Sequence, residues 1–148
     1  MPRGENQSWP ADLRAFGVMA LLWSLYLAWQ AMAGDSFGDY VSPVRAVVGG
    51  NVFYGPQAQL VLLIEAGVFW VIAVGMITGR RWSLVLSLFY MAEMVISYFV
   101  FVLAYMDSRA ELSHIRIAVY QGPSIVLITL YLWIRSRDLI FEPARHGE

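Results

Sequence analysis

The sequence predicts an all-α membrane protein, a four-helix transmembrane bundle running up-down-up-down with both termini in the cytoplasm. Three observations carry that expectation. The 148 residues are 59% hydrophobic and only 14% charged, against about 45–50% and about 25% in a soluble domain. The apolar residues gather into four runs, each close to the roughly 20 residues that a bilayer crossing needs. The arginines are shared unevenly between the segments that join those runs, as the positive-inside rule describes.

The whole chain, 1–148, is expected to form a single integral membrane domain. A polar leader with Arg3, Glu5 and Asn6 ends at Pro10, which suits the start of a helix, and Asp12 falls in the first turn, where a carboxylate favours the helix dipole. A helix follows from about Ala11, with its span at about 13–33. Ala31-Met32-Ala33 has the form of a leader-peptidase site, but Glu5 and Asp12 precede the apolar run, and the run is too long for a secretory leader. It reads as a span. Residues 34–59 carry five glycines and two prolines and read as an outer loop, with 41–54 lying in the membrane interface as an interfacial or short re-entrant segment.

The second and third spans are expected at about 60–78 and 83–106, joined by Gly79-Arg80-Arg81-Trp82. Gly79 reads as the helix C-cap of that turn rather than as half of a dimerisation motif with Gly75. A charged loop with Asp107, Arg109 and Glu111 leads to the fourth span at about 115–134. That span contains Pro123, so a kink or break is expected one turn earlier, near Val119.

Orientation follows from the arginines. Arg3, Arg14, Arg80, Arg81, Arg135, Arg137 and Arg145 fall on one side, and Arg45, Arg109 and Arg116 on the other. The richer side is the cytoplasm. Arg80, Arg81, Trp82, Arg135 and Arg137 are the topology anchors of this reading. Four spans around a basic turn are the layout of many small bacterial inner-membrane proteins, so the expected location is the inner (cytoplasmic) membrane.

The polar residues inside the spans are the candidate site. Counting back from the cytoplasmic ends at about 1.5 Å per residue puts Glu65, Gln121 and Gln30 about 20 Å deep and Glu93 about 16 Å deep. Four helices thus each bring one strongly polar group to a similar level in the outer half. Ser83, Ser87, Tyr90, Glu93 and Ser97 recur at helical spacing and share one face of the third helix. The first helix offers Gly17, Ser24, Ala28 and Ala31 as a small-residue face suited to close packing. An ionised carboxylate in hydrocarbon costs several kcal/mol, about 3 on insertion scales. The neutral form is therefore favoured unless water or a cation reaches the group. Glu65, Glu93, Gln121, Gln30, Tyr90 and Ser97 are accordingly the candidate ligand or proton site. The same side chains would also serve as hydrogen-bonding glue between helices.

Several chemistries are excluded or unsupported. The chain has no cysteine, which removes disulfide and thiolate chemistry, and with it the four-helix quinone-linked thiol oxidoreductases. All ten basic residues are arginine, so a retinal-type Schiff base has no lysine. The two histidines, His114 and His146, fall on opposite sides and cannot share a metal or haem. No phosphate-binding loop, metal-ligand cluster or Ser–His–Asp set is present, no cofactor is indicated, and a net charge of -1 gives no footprint for nucleic acid.

Two functional classes remain. The first is a non-catalytic accessory or assembly subunit, or partner-binding module, of a larger membrane complex. Its partners would be the lipid bilayer and other membrane subunits or further copies of the chain. The alternative is a small oligomeric transporter or channel, coupled to protons or cations through Glu65 and Glu93. An enzyme on a lipid-soluble substrate would have to use the same two acids.

Overall fold

The structure is a computed structural model that describes residues 9–33, 45–106, 112–137 and 139, with backbone alone at Arg45, 112–118, Tyr120 and Gln121. Its elements follow in the order α1 (Ala11–Ala33), β1 (Arg45–Val48), β2 (Asn51–Tyr54), α2 (Gly55–Ile77), α3 (Arg81–Tyr105) and α4 (Leu112–Ser136). α1, α2 and α3 are each long and apolar enough to cross a membrane. In α4 the apolar stretch among the described residues is Gly122–Ser136. Three such helices mark the chain as a membrane protein.

The outer surface is apolar, unlike that of a water-soluble bundle, and serines are buried beside the apolar core. Met32, Phe89, Phe99 and Leu127 stand exposed, while Ser24, Ser83, Ser87 and Ser97 are buried. Large apolar side chains on the outside match hydrocarbon, and small polar ones inside allow close helix approach and local hydrogen bonds. Each buried serine has an acceptor. The Ser24 hydroxyl donates across to the Ala66 carbonyl of α2 at 2.7 Å, and Ser83 and Ser87 donate to the Arg80 and Ser83 carbonyls at 2.6 Å each.

α1 and α2 form an antiparallel pair. Gly17, near the start of α1, lies against Met76 and Ala73 near the end of α2, so closely that a Cβ there would sit 2.8 Å from the Met76 Cβ. The buried face of α1 is Leu13, Gly17, Ala20, Ser24, Leu27 and Ala31, largely the small-residue face expected from the sequence. α4 packs chiefly on α3, and α2 meets α3 both beside their short turn, where Gly75 abuts Ser83, and in mid-helix, where Phe69 meets Tyr90.

That turn shows how local chemistry stops a helix. Gly79 sits at φ +74°. The Gly79 N–H donates to the Met76 carbonyl at 3.3 Å and the Arg80 N–H to the Gly75 carbonyl at 2.8 Å. This is the paired closure of a Schellman motif, which needs a left-handed residue that glycine adopts without strain. The same end of the molecule gathers the start of α1 and the end of α4. Trp9 packs on Gly79, and Arg135 donates to Asp12 through Nε at 2.8 Å and an Nη at 2.5 Å. The Tyr131 hydroxyl joins them on the same carboxylate oxygen.

The stretch after α1 corrects the expectation of an outer loop at 34–59. Residues 34–44 lie outside the described residues, but 45–54 form a β-hairpin in register Arg45↔Tyr54 to Val48↔Asn51. Gly49 and Gly50 make its two-residue turn at φ +58° and +79°, the doubly left-handed turn whose twist suits a hairpin. α2 then begins at Gly55 rather than Leu60, because Pro56 occupies its first turn, where a missing N–H costs nothing. Of the kink or break expected near Val119, a break is not found: the helix runs through Pro123. The charged loop 107–111, the side chains of Arg45, His114, Arg116 and Gln121, and the tail from 140, including His146, lie outside the described residues.

Candidate functional site

The hairpin lies against the end of the bundle opposite the Arg80–Arg81 turn. Its glycine turn rests on α3, where Gly50 abuts Val100 and the Phe101 backbone. Beneath it, between α1, α2 and α3, is a cavity of about 320 Å³. Gln30 of α1, Glu65 of α2, and Glu93 and Ser97 of α3 all line it. Ala46 and Val47 of β1 contribute to the wall, with Trp23, Tyr26 and Tyr98 as its aromatic lining.

Local helical geometry explains why these groups meet. Glu93 and Ser97 are four residues apart and share a face; the Ser97 hydroxyl donates to Glu93 Oε1 at 2.5 Å. The same hydroxyl accepts the Gly49 N–H at 2.6 Å. One serine therefore ties the hairpin turn to the α3 carboxyl. On α1, Gln30 and Tyr26 are likewise one turn apart, and Gln30 Nε2 donates to the Tyr26 hydroxyl at 2.7 Å.

Glu65 and Glu93 stand near enough to interact electrostatically. The Tyr90 hydroxyl also faces Glu65, and the Tyr90 ring is held edge-on against Phe69 at 5.1 Å between centroids. A second, smaller cavity of about 260 Å³ touches Glu65, Glu93 and Tyr90 from the other side, walled by Val48, Val61 and Val68. The pair of acids thus separates two cavities. Among the described residues, no arginine lines either of them, and the partners of the carboxyls are a serine, a tyrosine and each other. Such a pair repels itself when both members ionise. It holds one shared proton, or one cation, more readily than two negative charges.

Of the sequence-selected residues, the structure brings together Gln30, Glu65, Glu93, Ser97 and Tyr90. Gln121 cannot be placed at the site, since only its backbone is described; one turn on, Ser124 lines a different cavity. Arg80, Arg81 and Arg137 stand exposed at the opposite end of the bundle, with Trp82 half-exposed beside them and Arg135 bonded to Asp12.

Sequence reasoning missed Trp23, Tyr26, Tyr98 and the hairpin residues. Tyr26 carries a findable signal, the i, i+4 spacing to Gln30. Gly49-Gly50 between Val47-Val48 and Val52-Phe53 is a hairpin signature, obscured by reading the whole segment as interfacial loop. Nothing in the sequence marks Tyr98, which is adjacent to the polar face of α3 rather than on it.

Compared with known protein families, with curated proteins and with solved structures, the chain shows no significant match.

Proposed function

We propose that this chain is a small inner-membrane transporter or channel in which Glu65 and Glu93 form the proton- or cation-exchanging site. The observation that carries the reading is that both carboxyls line one cavity, with no basic side chain among the described residues of its wall. A structural pair would be neutralised by a fixed cation. A pair left with a serine and a tyrosine keeps its charge balance open to an exchangeable one.

In the membrane, the proposed arrangement is four spans, up-down-up-down, with α4 as the fourth and both termini cytoplasmic. It is supported by the clustering of Arg14, Arg80, Arg81, Arg135 and Arg137 at the end where α1 begins and α4 finishes, which the positive-inside rule puts in the cytoplasm. The hairpin and the acid pair then face the outer half.

The test is reconstitution into proteoliposomes with an internal pH dye and an imposed membrane potential. Wild-type protein is expected to admit protons or alkali cations above empty vesicles. Glu65→Gln and Glu93→Gln are expected to abolish that flux while leaving the protein folded. Unchanged flux in both variants would sink the reading.

A second reading, an accessory or assembly subunit of a larger membrane complex, is favoured by a separate observation. The apolar windows of α1, α2 and α3 are only 28%, 39% and 22% buried within the chain. Much helix surface is therefore free for other subunits, for further copies of the chain or for lipid. Native mass spectrometry after gentle extraction distinguishes these: the accessory reading requires a stoichiometric assembly with another chain, whereas a transporter requires only copies of itself.

A further inference from the structure

A groove of about 330 Å³ lies beside the carboxylate cavity, and its character is opposite. Its walls are apolar, with Phe16 and Ala20 from α1, Phe69 from α2, Met91 from α3, and Ile125 and Ile128 from α4. α1 packs on α2, and α4 packs on α3; the groove is the seam between those two pairs. Met19 and Ile128 line the groove and are also exposed on the outer surface, so it opens sideways, toward where the lipid would lie. Trp23, Met94 and Tyr98 line both the groove and the carboxylate cavity. The two spaces are therefore neighbours across three shared side chains.

We infer that the ligand of this site is an amphiphilic organic cation, with one positive head on a compact apolar body, entering from the membrane through the seam between α1 and α4. This rests on the reading of Glu65 and Glu93 as a cation site. Charge complementarity places the head against the two carboxyls. The Trp23, Tyr26 and Tyr98 faces offer a delocalised cation further attraction. The apolar body belongs in the groove, which would go unused if the ligand were an inorganic ion. Each space falls within or near the range of drug-sized pockets, about 300–1,000 Å³, and neither approaches the volume of a two-chain phospholipid. Among the described residues no arginine lines either space, so none of them offers a lipid phosphate a partner. Met94 at the junction is an adaptable apolar surface for bodies of differing shape.

The experiment measures binding of three probes to the full chain, purified in a neutral detergent, by equilibrium dialysis. The probes are tetraphenylphosphonium, tetramethylammonium and tetraphenylborate. Tetraphenylphosphonium is expected to bind saturably, the small cation about tenfold or more weakly, and the apolar anion not to saturate. Glu65→Gln with Glu93→Gln should weaken tetraphenylphosphonium by about tenfold or more, the weight of one charged partner. Ile125→Trp, which fills the groove, should weaken tetraphenylphosphonium and leave tetramethylammonium unchanged. Should that variant not yield folded protein by circular dichroism and gel filtration, Ile128→Trp, already partly exposed, serves in its place.

Equal binding of the two cations, or groove-filling without effect on tetraphenylphosphonium, overturns the amphiphile while the cation site stands. Equal tetraphenylphosphonium binding by wild type and the double glutamine variant also overturns the proposal. A co-purifying phospholipid that tetraphenylphosphonium does not displace overturns it in favour of lipid. Failure of the underlying cation reading is seen separately, as unaltered proteoliposome flux in both single glutamine variants.

Discussion

The two ends of the bundle treat a carboxylate in opposite ways. At one end Asp12 takes two guanidinium bonds from Arg135 and one from the Tyr131 hydroxyl. It is about one-third exposed, and its charge is matched on the spot. At the other end Glu65 and Glu93 sit under the hairpin with neutral hydroxyls and each other as partners. The first arrangement fastens the start of α1 to the end of α4. The second leaves a charge deficit inside the molecule. Among the described residues, an arginine stands against Asp12 and none against the Glu65–Glu93 pair, although all three acids are half-buried. That difference is what separates a clamp from a site.

The comparison is broken most directly at the acid pair. Glu65→Gln or Glu93→Gln should cost about tenfold or more in cation binding or flux, with thermal stability unchanged or raised, since a like-charge repulsion is removed. Thermal unfolding followed by gel filtration, alongside the flux assay, checks both halves. A large stability loss with flux retained would make the pair a clamp after all.

Packing is the next largest effect. Gly17→Leu forces a side chain into the space held by Met76 and Ala73, and overpacking of this kind costs about 1–3 kcal/mol. A lowered unfolding temperature is expected, and an unchanged one would mean that α1 and α2 are less closely seated than their contacts imply.

The link between hairpin and site is tested by Ser97→Ala. The substitution strands the Gly49 N–H, an unpaired donor worth about 1–3 kcal/mol if it stays buried. Amide hydrogen exchange should rise across Val47–Phe53, and cation affinity should shift with it. Faster exchange without any change in affinity would separate the hairpin from the site.

The smallest effect belongs to the clamp. Asp12→Asn should destabilise the protein by less than about 1 kcal/mol, because the ion pair is partly exposed and screened. Its loss should diminish further at high salt. A salt-independent loss larger than the acid-pair variants show would invert the contrast between the two ends.

Much of this was legible in the residues themselves. The lengths of α1 and α3, the C-cap at Gly79 and the polar face of Glu93 and Ser97 follow from helical periodicity and local turn chemistry. Each depends on neighbours within one or two turns. The start of α2 was legible too, through Pro56, but glycine and proline density around it obscured the signal. The hairpin was marked by Gly49-Gly50, yet a loop and a hairpin differ by long-range placement, which composition does not encode. Tyr98 and Trp23 entered the site only through packing of one helix against another.

What the sequence determined by itself is the solvent and the inventory: apolar runs long enough for a membrane, two acids within them, and arginines at their ends. These are properties of single segments, set by hydration free energies and by the rise of a helix. Tertiary structure alone decided that Glu65 and Glu93 line one cavity, that Ser97 joins Glu93 to the hairpin turn, and that an apolar groove adjoins the pair. Rotation of each helix about its axis chooses which neighbours a side chain meets. In a chain whose faces are nearly all apolar, hydropathy leaves that rotation free. It is fixed instead by small residues such as Gly17 that permit close approach, and by the few polar groups that must find one another.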